Sequence, residues 1–228
     1  MTGRRSSDER EYERLVDQLD ALEEDIDAAR ATAAHSEAKP QLTIPVDHDR
    51  GGRLAAHGED VVLSDGAHIL VRQIEPADVT ELERGFARLG ALSRYRRFRA
   101  PVDHISHAEF AAAAGVDHEC QEALVALDPV TGAGIAMAHF ARDSSDSSRA
   151  EFDCTVLDSW QRRGVGTVLT QRLARLADAA GIDSLTAHVL VGNDGARRLL
   201  TRVGDVSTER RDGGVLKVRV KLRKATAA

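Results

Sequence analysis

The chain has only two cysteines and two tyrosines in 228 residues and lacks long apolar runs, and each shortage removes a class of protein. No stretch of about 18 consecutive apolar residues occurs, so no membrane-spanning helix is predicted. Cys120 and Cys154 lack C-x-x-C or His/Cys spacing for zinc, and no metal is implied. Both fall in segments that look like core, so buried free thiols are expected. The start, MTGRRSSDEREYER, is charged where a secretory signal would need an apolar segment, and a cytoplasmic location is the matching expectation. A basic excess is missing too. The net charge is −6, and residues 1–39 carry most of it, with 6 Lys/Arg against 11 Asp/Glu. The remaining residues hold 25 against 26, which is not the footprint of a nucleic-acid binder. Arg94, Arg96, Arg97 and Arg99 form a local cluster, suited either to an anionic ligand or acidic protein surface, or to a solvated helix face.

Three regions are expected. Residues 1–38 carry apolar positions at Tyr12, Leu15, Leu19, Leu22, Ile26, Ala29 and Ala33, a 3-4 spacing that predicts an amphipathic heptad helix. Such a seam suits a homodimer, or docking on the rest of the chain. Residues 39–60 mix prolines, glycines and charges without a period and are predicted to be a linker. A domain at 61–224 opens with a hairpin, Val61–Leu63 and Ile69–Ile74 around Ser64-Asp65-Gly66, followed by a helix from Pro76 through Leu89. Strands are expected at Ala123–Leu127, Ile135–Ala141, Ala150–Leu157, Leu185–Leu190 and Val215–Leu222. His104 and His107 fall in a region read as loop, and His139 on a strand.

The most informative stretch is RAEFDCTVLDSWQRRGVGT, residues 149–167, a strand running into a glycine-bearing turn and then a helix. Two glycines let main-chain N–H groups converge on an anion, and the following helix adds its positive N-terminal end. Neither the Lys-Ser/Thr pair of a P-loop nor the longer spacing of a dinucleotide fingerprint is present. Downstream, Val165, Val168, Leu169, Leu173 and Leu176 recur at helical spacing. A second strand, Asn193, and a short helix ended by Gly204 follow.

Gln161-Arg162-Arg163-Gly164-Val165-Gly166 resembles the acyl-CoA motif of the GNAT acetyltransferase superfamily. DGAHILVRQIEPAD, LSRYRRF and VDHECQEALVAL narrow the resemblance to the bacterial protein lysine acetyltransferases. The resemblance implies an α+β fold: a mixed, mostly antiparallel sheet flanked by helices, parted at two strands to admit the pantetheine arm. It implies acetyl-CoA as co-substrate, with Cys154, Thr155 and Val156 meeting pantetheine through their backbone. Arg162, Arg163, Gly164, Val165, Gly166 and Thr167 would hold the pyrophosphate, and Asn193 would bond pantetheine or fix the strand–helix junction.

Acetyl transfer to a lysine needs an uncharged amine, whose ordinary pKa is near 10.4, so a base is required. Glu151 lies ten residues before Gln161, where the similar enzymes have a catalytic glutamate, and alternation puts it on the face of Asp153 and Thr155. His188, five residues before Asn193, is the second candidate, since imidazole titrates in the useful range. Many superfamily members carry a tyrosine acid seven residues after that asparagine, but Leu200 stands there. The predicted activity is transfer of an acetyl group to an amine, foremost a protein lysine. A small-molecule amine acceptor, and a non-catalytic acyl-CoA-binding regulatory domain, are the alternatives.

Overall fold

The computed structural model describes residues 58–212 and 214–224. The heptad helix and nearly all of the linker expected before them lie outside the described residues. Eight strands form one sheet in the order β1-β2-β3-β4-β5-β6-β8-β7. They are β1 (Glu59–Val62), β2 (His68–Gln73), β3 (Gln121–Leu127), β4 (Gly134–Arg142), β5 (Arg149–Val156), β6 (Ser184–Leu190), β7 (Gly204–Asp212) and β8 (Val215–Leu222). The sheet is mixed: β5 and β6 run parallel, and the other neighbours pair antiparallel.

Helices cover both faces because β3 is apolar on both. Leu124 and Ala126 belong to one buried cluster with Val165, Leu169, Leu173 and Ala177 of α4 (Val165–Ala179). Ala123, Val125 and Leu127 point the other way, against Val79 and Leu82 of α1 (Val79–Arg88) and Ala114 of α3 (His107–Ala114). Between those two helices in the chain comes α2 (Ala91–Phe98), which meets β5. The last helix, α5 (Asp194–Leu200), seats Leu199 beside Gly166 at the start of α4.

Local chemistry sets the boundaries. A 3-10 turn at Pro76–Asp78 leads into α1, and the Glu75 N–H donates to Asp78 Oδ2 at 2.8 Å. Asp78 is also gripped by Arg72 through two hydrogen bonds of 2.7 and 2.6 Å. Burial opposes ionisation of that carboxyl, but those bonds outweigh it and hold its pKa below the ordinary value. Ser106 caps α3, accepting from the Glu109 N–H at 3.3 Å while Glu109 Oε2 accepts from the Ser106 N–H at 2.8 Å.

Three expectations are corrected. His107 is the first residue of α3, not loop: the capping signal was Ser106 with Glu109, and the alanine-rich run behind it has no periodic apolar face. Strand β7 was not read, because GDVSTERRD is almost wholly exposed and lacks the alternation of a half-buried strand. Gly204 does not end the helix, which stops at Leu200 with Thr201 as its cap; it begins β7, and a Cβ there would fall onto the Lys221 carbonyl oxygen, so only glycine allows this approach. Cys120 is exposed rather than buried, since it lies outside β3, just ahead of Gln121.

Among the described residues no helix is long and apolar enough to cross a membrane. Leu173 is fully buried between α4 and the sheet. Leu173→Ala is expected to cost about 2–5 kcal/mol, read as a lower urea midpoint with an unchanged m-value.

Candidate active site

The ladder between β5 and β6 is short. Arg149 pairs with Ser184, Ala150 with Leu185 and Glu151 with Thr186, and there it stops, although both strands continue. Residues through Val156 keep their pairing with β4, and residues through Leu190 keep theirs with β8. The two strands therefore part beyond Glu151. Main-chain groups of alternate residues face opposite neighbours. The Leu157 N–H goes to Ile135 on the β4 side, so Val156, and Cys154 by alternation, turn toward the gap. The Val156 carbonyl is met there by Gln161 Nε2 at 3.1 Å.

Beyond β5, a 3-10 turn at Asp158–Trp160 delivers the glycine loop. Arg162 and Gly164 have positive φ, 62° and 97°, which turns the chain sharply into α4. Val168 donates the first bond of α4, to the Gly164 carbonyl at 3.0 Å. The amides of Gly164, Val165, Gly166 and Thr167 make no hydrogen bond among the described residues, as helix geometry requires of a first turn. Among the described residues nothing lies within 4 Å of the place a Gly164 Cβ would occupy. The loop is an open set of amides at a helix N-terminus, the arrangement that binds phosphate.

Side chains around it fix the loop. Arg163 Nε donates to Asp65 Oδ2 at 2.5 Å and its guanidinium lies 4.1 Å from the Trp160 ring centroid, so this arginine is anchored to β1–β2 and the turn. That hydrogen bond is the main reason the Asp65 carboxyl sits below its usual range. Asp158 accepts from the Gly90 N–H at 2.8 Å and Ser93 Oγ at 2.6 Å, while Gln161 Nε2 donates to Ser93 Oγ at 3.0 Å. The start of α2 is thereby tied to the loop. Asn193 Oδ1 accepts from the Ala196 N–H at 3.1 Å and caps α5.

Glu151 and His188 meet across the fork. His188 Nδ1 lies 3.3 Å from Glu151 Oε1, with the carboxylate 64% exposed and the imidazole 31%. Asp153 and Thr155 share that face of β5, opposite His139 and Met137 of β4. Asp153 Oδ2 is 3.0 Å from Arg97 Nη2 of α2 and 3.7 Å from His139 Nδ1. Among the described residues the Thr155 hydroxyl is buried without a hydrogen-bond partner. Cys154 is turned to the opposite face, where burial, with the Asp153 charge nearby, pushes its thiol up to about 12. A cleft of about 510 Å³ opens between this face and α1–α3. Phe86, Phe98, Phe110, Leu82, Val125 and Met137 supply apolar wall, and Asp153, Arg97 and Thr155 supply polar groups.

The acetyltransferase (GNAT) family model matches residues 91–205, half of the chain, with the fork and cradle inside the match. The chain belongs to the acetyltransferase (GNAT) family. Acetyltransferase Pat of Mycolicibacterium smegmatis is 30% identical over 160 residues, 70% of this chain and 47% of that protein, so the chain spans about half the length of this curated relative. The crystal structure of the GNAT domain of S. lividans PAT superposes with a TM-score of 0.66 at 27% identity, covering 72% of this chain and 97% of that one. The structure of yncA from Salmonella typhimurium, solved with acetyl-CoA, shares the fold at 16% identity, with a TM-score of 0.53 over 70% of this chain and 96% of that one.

The motif signalled the loop, Glu151 and His188, but the Asp158–Gly90–Ser93 tie and the Arg97–Asp153 pair join residues 56 to 68 positions apart and leave no local signal. Of the arginine cluster, Arg97 turns to the cleft, whereas Arg94 lies over Phe86 at 4.6 Å. Gly164→Ala would force a Cβ into the left-handed region at a cost of about 1–2 kcal/mol. A methyl at Gly166 would make only ordinary contacts, 3.5 Å from Val156 and 3.6 Å from Leu199. Thermal unfolding is expected to separate these two variants. At pH 8 the Cys154 thiolate fraction is about one in ten thousand, from a pKa of about 12, so iodoacetamide should label exposed Cys120 and spare Cys154.

Proposed function

We propose that this chain is an N-acyltransferase that moves an acetyl group from acetyl-CoA to an amine, foremost the side chain of a protein lysine. The observation that carries the reading is the fork: the β5–β6 ladder ends at Glu151–Thr186, and the strand then runs into an unpaired amide cradle. The residues present fit the co-substrate. Gly164, Val165, Gly166 and Thr167 offer free amides to a diphosphate, and Arg162 and Arg163 contribute the turn that presents them. The main chain of Cys154 and Val156 faces the gap where a pantetheine arm would replace the missing ladder, and the orphaned Thr155 hydroxyl offers a further bond. Bound there, acetyl-CoA supplies an acetyl group activated as a thioester.

Glu151 stands at the apex of the fork and takes the proton from the incoming ammonium. His188 orients that carboxylate through the 3.3 Å contact and shares its proton. The neutral amine attacks the thioester carbonyl, and a main-chain N–H in the parted segment of β5 stabilises the developing oxyanion. Collapse expels the CoA thiolate, and the newly acylated nitrogen gives up its remaining extra proton to solvent, leaving a neutral amide. Leu200 is buried in the core, so solvent rather than a side chain at that place returns the proton. Cys154, protonated and turned to the other face, is not an acyl carrier.

A second reading, acetylation of a small apolar amine, is favoured by the aromatic wall of the cleft. Incubation with labelled acetyl-CoA and a lysate distinguishes the two: label in protein supports the lysine acceptor, and label confined to small amines supports the other. Glu151→Gln is expected to lower transfer about 100-fold or more with acetyl-CoA affinity retained, and His188→Gln to lower it less. Unchanged transfer in Glu151→Gln would remove the base assigned here. Binding of acetyl-CoA by the unmodified chain without transfer to any amine would identify a sensor instead.

A further inference from the structure

We propose that Asp153 is the specificity residue that receives the ammonium of the acceptor, and that Arg97 holds its place until the acceptor arrives. This rests on the amine-acyltransferase reading above. The first ground is elimination among the carboxylates that line the cleft. Asp78 is locked by two Arg72 hydrogen bonds. Glu81 accepts from the Gly134 N–H at 2.8 Å and Arg88 Nη2 at 2.6 Å. Glu109 is committed to capping Ser106, accepting from its N–H at 2.8 Å and its hydroxyl at 2.6 Å. Among the described residues Asp153 is held by ion pairs, to Arg97 and, at longer range, His139.

The second ground is the quality of the Arg97 pair. Its closest atoms are 3.0 Å apart, and the closest approach of His139, at 3.7 Å, is to the same oxygen, Oδ2, so two cationic side chains converge on one end of the carboxylate. The side chains are 28% and 33% exposed, against 12% and 16% for Asp78 and Arg72. A pair so made is exchangeable: an arriving cation can take the carboxylate while Arg97 swings into solvent. The cleft favours exchange over opening, because a carboxylate left alone beside apolar wall is costly and one re-paired with a new cation is not.

The third ground is position. Asp153 is two residues beyond Glu151 on the same face of β5, about 7 Å along the strand. An alkylammonium entering past Phe86, Leu82 and Met137 packs its methylenes on apolar side chains and presents its charge to Asp153, one side-chain length from the base. Neutral molecules of the same shape gain the packing without the charge contact. The device selects for a cation at the end of an aliphatic chain.

Met137 lines the cleft, and the chain has only one other methionine, Met1, so methyl-labelled methionine gives a two-signal NMR reporter. n-Butylammonium and the isosteric n-butanol are titrated in turn. The Met137 signal is expected to move saturably with the amine, at least tenfold more tightly than with the alcohol. Asp153→Asn should erase that preference, and Arg97→Gln should tighten the amine severalfold by removing its competitor. Equal binding of amine and alcohol to the unmodified chain, no binding of the amine, a preference retained in Asp153→Asn, or weaker amine binding in folded Arg97→Gln would each overturn the proposal. The unmodified-chain comparison stands whether or not a variant folds. No arm uses acetyl transfer, so failure here is distinct from failure of the proposed reaction.

Discussion

The site exists because two parallel strands stop pairing while each stays fully paired on its outer side. β5 keeps its ladder with β4 to Val156, and β6 keeps its ladder with β8 to Leu190, so the cost is confined to the inner hydrogen bonds. Each such bond contributes about 1 kcal/mol net, but an unsatisfied buried group costs more. Gln161 limits that cost by meeting the Val156 carbonyl, and Asn193 does the same for the first turn of α5. The groups left over point into the gap. They are a deficit for the empty sheet and a row of ready partners for an extended ligand.

A second constraint holds the rest of the site to that gap. Asp158 and Gln161 both reach Ser93, so the loop that follows β5 and the helix that roofs the cleft form one hydrogen-bonded unit. Arg163, whose side chain is committed to Asp65 and Trp160, contributes stiffness to the cradle instead of charge. What the loop presents is oriented amides and a helix end, groups that cost no side-chain entropy when an anion meets them. The ionisable side chains Glu151, Asp153, His139, His188 and Arg97 gather on the other side of β5.

Much of the fold was legible along the chain. The hairpin around Asp65-Gly66, the strands at β3, β4, β5, β6 and β8, and the period of α4 follow from alternation, helical spacing and turn residues. What escaped were elements without those signals: exposed β7, and α3, whose alanines give no apolar stripe. Cys120 was misread for a related reason. An apolar neighbourhood in sequence ends at a strand boundary, and one residue past that boundary lies in solvent.

The amino-acid sequence by itself determined the family, the glycine cradle and the face of β5 that carries Glu151, because turn preference and strand alternation act over a few residues. Only the tertiary structure decided where the ladder breaks, that His188 stands against Glu151, and that Arg97 rather than its cluster neighbours reaches Asp153. Those outcomes depend on register between strands and on how far α2 is drawn over the sheet. Both are set by packing among residues tens of positions apart, and no short window of sequence contains them.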